Sequence, residues 1–150
     1  MICKKHEQLN LIYYAGTDQS NTQYILNIPE VTPDPQSQNA SILSNFTTSL
    51  YDTHSNIVGE VISTATSTSI STTQFIEVFT YTISLPHGTM TFRFNIIGDN
   101  NQSYFTGGQV INLNFMYGSG EYQNANVKSC TLLPVNDPKQ TRILTVVFDN

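Results

Sequence analysis

The sequence predicts an all-β protein built as a single eight-stranded antiparallel β-barrel, and three observations lead there. From residue 42 onward apolar and polar residues alternate in short segments rich in β-branched and aromatic side chains. Gly, Pro, Asn and Asp punctuate those segments at close intervals, as hairpin turns require. No long segment carries a helical stripe, and a length of 150 residues is that of one domain, large enough to bury about two-thirds of its unfolded surface. Roughly eight closely spaced strands favour a closed barrel or a sandwich, and the barrel removes exposed sheet edges.

The clearest element is Phe75 to Ile83. Its alternation puts Phe75, Glu77, Phe79, Tyr81 and Ile83 on one face and Thr80 and Thr82 on the other. Pro86-His87-Gly88 then turns the chain, and Thr89 to Ile96 repeats the pattern with Met90, Phe92, Phe94 and Ile96 inward. A further strand over Gln109 to Tyr117 places Ile111, Leu113, Phe115 and Tyr117 on one face, and Gly118-Ser119-Gly120 ends it. The remaining strands are expected at Ser41 to Tyr51, Asn56 to Thr66, Glu121 to Leu133 and Arg142 to Phe148, with one more at Thr22 to Ile28. Glu7 to Tyr14 fits a short helix or an initial strand equally, and Pro29 to Asn39 reads as a surface connection. The domain therefore divides into an N-terminal segment with a Pro-rich connection, 1–40, and the main barrel strands, 41–150.

Composition excludes several functions. Charged residues make up 11% of the chain, while 14 Ser, 19 Thr, 15 Asn and 10 Gln supply its polarity. The surface is accordingly uncharged and rich in hydroxyls and amides. The net charge is −5, and Lys4, Lys5, Arg93, Lys128, Lys139 and Arg142 are scattered, so no cationic patch for nucleic acid is expected. No apolar run spans a bilayer, and Met1 to Gln8 lacks the apolar core of a signal peptide. Either the chain stays inside the cell or a leader has been removed; localisation stays open, a surface or extracellular role included. Cys3 and Cys130 are expected as free thiols, with a bridge as the alternative.

Glu77 is the candidate catalytic residue. A carboxylate on an aromatic face is desolvated, which raises its pKa and suits a general acid in a cavity. The bland alternative is a barrel-mouth residue reaching water, and one β-bulge would reverse its face. Glu77, Phe79, Tyr81, Phe92 and Phe94 form the candidate ligand-binding set. Asp52-Thr53-His54 offers two ligands without a third, so no metal site and no cofactor are expected. No Gly-x-Ser-x-Gly elbow and no nucleotide loop is present. The tract Thr64 to Thr73 could present hydroxyls to ice or glycan, or be an exposed strand running into a loop. Asn39-Ala40-Ser41, Asn45-Phe46-Thr47 and Asn101-Gln102-Ser103 match the glycosylation pattern, which matters only in a secreted chain.

From Ser41 onward the segment order resembles the allene oxide cyclase barrel superfamily, which includes the dirigent proteins. The resemblance is carried by Leu50-Tyr51-Asp52, Val58-Gly59, the Phe75 to Ile83 strand, His87-Gly88-Thr89-Met90-Thr91-Phe92 and Gly118-Ser119-Gly120-Glu121-Tyr122. It implies an eight-stranded barrel with an elongated apolar cavity, assembled as a homotrimer. Thr48 and Ala65 stand where allene oxide cyclases carry a cavity asparagine and a cysteine, and Asn126 stands near the dirigent arginine. Those departures count against either activity. The function expected first is a non-catalytic structural or interaction module, of a cell or virion surface, forming homo-oligomers through neutral surfaces. The alternative is a binding protein for a small hydrophobic molecule, or a cyclase or isomerase with Glu77 as proton donor.

Overall fold

The computed structural model describes residues 8–16, 41–69, 71, 73–99 and 108–149. Eight strands follow one another around a closed antiparallel barrel: β1 (Gln8–Tyr14), β2 (Ser41–Tyr51), β3 (Ile57–Ser69), β4 (Gln74–Leu85), β5 (Gly88–Asp99), β6 (Ile111–Gly118), β7 (Val127–Pro134) and β8 (Thr141–Phe148). The sheet closes where β1 pairs with β8 over its whole length, from Gln8↔Val147 to Tyr14↔Thr141. Gln8–Tyr14 thus resolves as a strand and lies within the segment set apart above as preceding the main barrel. Thr22 to Ile28 and Pro29 to Asn39 lie outside the described residues.

The interior follows the pleat. Along β4 and β5 the odd positions of one meet the even positions of the other, and the pairs Phe79↔Phe94, Tyr81↔Phe92 and Ile83↔Met90 are apolar and inward. β3 contributes Val61, Ser63 and Ala65 to the same face, and β1, β7 and β8 add Leu11, Tyr13, Cys130, Leu132, Leu144 and Val146. Thr48 and Ala65, the two positions singled out against the cyclases, are both buried. The outward face of β3 and β4 carries Thr64, Thr66, Thr68, Thr80 and Thr82, which makes the first part of the Thr-rich tract, Thr64 to Ser69, the continuation of a barrel strand. Asn45 of the second glycosylation triplet sits in the β2 ladder opposite Thr64.

Two turns lock the lower end of the barrel, where β4 passes into β5 and β6 ends. Glu121 N–H donates to the His87 carbonyl at 2.8 Å, and Ser119 N–H donates to that of Thr89 at 2.9 Å. The Ser119 and Thr89 hydroxyls lie 2.6 Å apart. A 3-10 turn, Gly120–Tyr122, leads away, and the Tyr122 ring stacks on Phe148 at 6.2 Å. The expected strand over Glu121 to Leu133 therefore starts only at Val127, because its first residues dock on the neighbouring turn.

One face assignment is overturned. Tyr117 points outward and is 63% exposed. Thr91 pairs with Tyr117 while Phe92 pairs with Phe115, so Met116 is the extra residue of a β-bulge, and the parity of β6 reverses beyond it.

Candidate functional site

Side chains on the inner wall sort by depth. On β4, Glu77 is half-buried, Phe79 is 7% exposed, Tyr81 4% and Ile83 fully buried; on β5, Ile96 is half-buried while Phe94, Phe92 and Met90 are closed off. Along β4 and β5 burial falls from Ile83 and Met90 toward the upper end, where β4 begins, leaving a mouth on that side, whereas Tyr13, Pro134 and Arg142 at the same end of β1, β7 and β8 are buried. Phe75, Glu77, Ser67 and Ile96 are the partly exposed inward positions at that mouth.

The layer below the mouth is aromatic. Phe79 and Phe94, paired across the strands, stack at 4.7 Å with 6° between their planes. Tyr81 meets Phe94 edge-on at 5.1 Å. Phe92 lies deeper, edge-on to Phe115 at 5.6 Å, and belongs to the closed core. Of the five residues singled out in the sequence, Glu77, Phe79, Tyr81 and Phe94 come together at or just beneath the mouth, and Phe92 forms the floor.

The sequence reading missed a polar cluster against this layer. The Tyr13 and Tyr81 hydroxyls are 2.8 Å apart, one donating to the other, and the Tyr13 ring meets Phe46 at 5.9 Å. A further side-chain hydrogen bond links Ser63 and Tyr81. Arg142, opposite Tyr13 across the β1–β8 ladder, is 6% exposed and acts electrostatically on both phenols. Its signal was present: Arg142 shares its parity with Leu144 and Val146, both fully buried. Tyr13 was hidden because the segment that carries it fits two kinds of element.

Burial dominates the electrostatics. It pushes the Tyr81 phenol up to about 12, against the pull of its Tyr13 hydrogen bond and Arg142. Tyr13 is raised well above the ordinary tyrosine value, by burial first and then by Tyr81. Both phenols hold their protons at neutral pH and serve as hydrogen-bonding groups rather than bases. Partial burial raises Glu77 as well. A carboxyl whose folded-state pKa is raised contributes stability that is complete below its unfolded value, about 4.3, and is lost as pH rises through the folded value. Glu77→Gln is therefore expected to melt above the wild type at pH 7 and to match it at pH 4. Two melting curves per protein check this, and an equal difference at both pH values would refute it.

The other sequence candidates serve the loops. The Asp52 carboxylate accepts the backbone N–H groups of His54 and Asn56 at 2.8 and 2.9 Å, and those bonds, Asn56 foremost, hold its pKa below the usual range. Thr141 does the same for Asp137 and fixes the turn before β8. Among the described residues no three His, Cys, Asp or Glu side chains converge to hold a metal ion. A second concavity of about 320 Å³ opens where β6 and β7 part below the Leu113↔Cys130 pair, lined by Asn114, Phe115 and residues 125–130. Cys130 at its back is a free thiol, which burial raises to about 12 and keeps inert. Asn126 is on its rim; Cys3 lies outside the described residues.

No family model matches the sequence, and no curated protein does. Among solved structures, the chain is similar to a pyocyanin demethylase, with a TM-score of 0.57 and 13% identity over 95% of this chain and 99% of that one. At that identity the likeness concerns the barrel fold alone. No described helix is long and apolar enough to cross a membrane.

Proposed function

We propose that the protein is a non-catalytic binding barrel for a small apolar molecule, received at the upper mouth between Phe75, Glu77 and Ile96 and seated on the Phe79–Phe94 stack. The carrying observation is the gradient of burial along β4 and β5. An all-hydrocarbon plug would close both ends alike, whereas here the aromatic wall stays accessible at one end and gains hydroxyls and a carboxyl. Small-molecule sites have this composition: mainly apolar walls with a few placed polar groups. A similar barrel that carries the name of an enzyme acting on pyocyanin supports the reading, since the fold then accommodates a small molecule in at least one protein. The mouth offers apolar walls and a carboxyl that can hold a ligand, so binding is proposed; isomerisation with Glu77 as acid is the enzymatic variant of the same site.

The uncharged dye N-phenyl-1-naphthylamine tests the site. Saturable fluorescence enhancement is expected, weakened at least tenfold by Ser67→Trp, which fills the mouth from β3 opposite Glu77. Absence of saturable binding, or binding indifferent to Ser67→Trp, would refute the site. What would then stand is the second reading, a structural or interaction module that forms a homo-oligomer, a trimer by the resemblance. The neutral Thr face of β3 and β4, with Ile62 41% exposed in it, supports that reading.

A further inference from the structure

We infer that the molecule received at this mouth is an organic cation, an ammonium group carried on an apolar body, with Glu77 as its counter-ion. The inference rests on the binding reading above and deepens it. Glu77 is half-buried on the inward face, between Ser67 of β3 and Ile96 of β5, neither of which carries charge. A carboxylate partly removed from water is costly unless a positive group compensates it. The chain has six Lys and Arg to supply one. Arg93 projects outward from β5, and Lys128 is exposed on β7. Lys139 is on the turn before β8, over the Tyr14 ring at 5.5 Å. Arg142 is buried opposite Tyr13 and acts electrostatically on Tyr81. Lys4 and Lys5 lie outside the described residues. Of the connections between strand ends on that side, 135–140 carries Lys139, whereas 17–40, 70–73 and 100–107 contain no Lys, Arg or His in sequence.

An anionic ligand would place like charges together at this mouth, and a neutral one would desolvate Glu77 further without compensation. A cation relieves both costs. The surrounding rings add to the preference, since the negative faces of Phe and Tyr attract ammonium groups. Phe75 and Phe79 flank Glu77 on the same face of β4, and Tyr81 and Phe94 meet edge-on below them.

The test is displacement of the naphthylamine dye by two probes of one shape, phenyltrimethylammonium and its uncharged isostere tert-butylbenzene, with benzoate as the anionic arm. In the wild type the cation is expected to bind at least tenfold more tightly than the isostere, and benzoate more weakly than either. Glu77→Gln is expected to remove the cation's advantage, bringing the affinities of the charged and uncharged probes within twofold of each other. Equal displacement by the charged and uncharged probes, or a cation advantage that survives Glu77→Gln, would overturn the inference while leaving the apolar site in place. Failure of the dye itself to bind would remove the site, and the inference with it.

Discussion

Truncating Phe92 to alanine is expected to cost about 3–5 kcal/mol of folding stability, the range for removing a buried phenylalanine from a core that cannot collapse around the gap. Phe92 has no exposed surface, packs edge-on against Phe115 and pairs with Tyr81 across the β4–β5 ladder. Rings held on rigid, hydrogen-bonded strands cannot close over the void, so both the transfer term and the cavity term apply. Against a total stability of about 5–15 kcal/mol this is a large fraction. Urea unfolding checks it: the midpoint should fall with the slope unchanged. Ile97→Ala, on the outward face of the same strand and 66% exposed, should change stability by no more than about 0.5 kcal/mol. Equal losses for the two variants would mean that the interior at this height is not packed.

Gly88→Val is expected to be as damaging through a different cause. At Gly88, φ is +157°, and a Cβ would strike the backbone carbonyl oxygen of Ser119. The approach is reciprocal, since Gly120 has φ +58° and a Cβ there would strike the carbonyl oxygen of His87. The β4–β5 turn and the turn after β6 therefore dock backbone to backbone, and any side chain at either glycine separates them. Separation breaks the Glu121 to His87 and Ser119 to Thr89 bonds together. A loss of about 3 kcal/mol or more is expected, with a Tm fall of about 10 °C for a chain of this length. Ser119→Ala removes only the side-chain bonds to Thr89 and should cost about 1 kcal/mol. If the valine variant lost no more than the alanine variant, the docking would not be rigid.

How far each strand could be read depends on how many signals agreed. In β4 and β5 an uninterrupted alternation stands beside a Pro-His-Gly turn, and the expected inward set matches the observed one, Glu77 included. In β6 the alternation Ile111, Leu113, Phe115, Tyr117 is equally regular, yet Tyr117 faces solvent, because a bulge is set by the pairing partner and leaves no mark in the strand that carries it. The 3-10 turn at Gly120–Tyr122 exists because Gly88 admits it, so the late start of β7 is written in a residue of another hairpin. The candidate site divides in the same way. Its aromatic floor was visible as pattern, whereas Tyr13 and Arg142 belong to strands that meet the floor only when the barrel closes.

By itself the sequence determined what depends on near neighbours: strand segments, their turns, the apolar parity of each uninterrupted strand and the uncharged outer surface. The tertiary structure decided which end of the barrel is open and which side chains share its interior. Tyr13 and Tyr81 are 68 residues apart and share one hydrogen bond. The physical reason is that strand alternation is imposed by local backbone geometry, while the register of closure between the first and last strands is a property of the whole ring of hydrogen bonds.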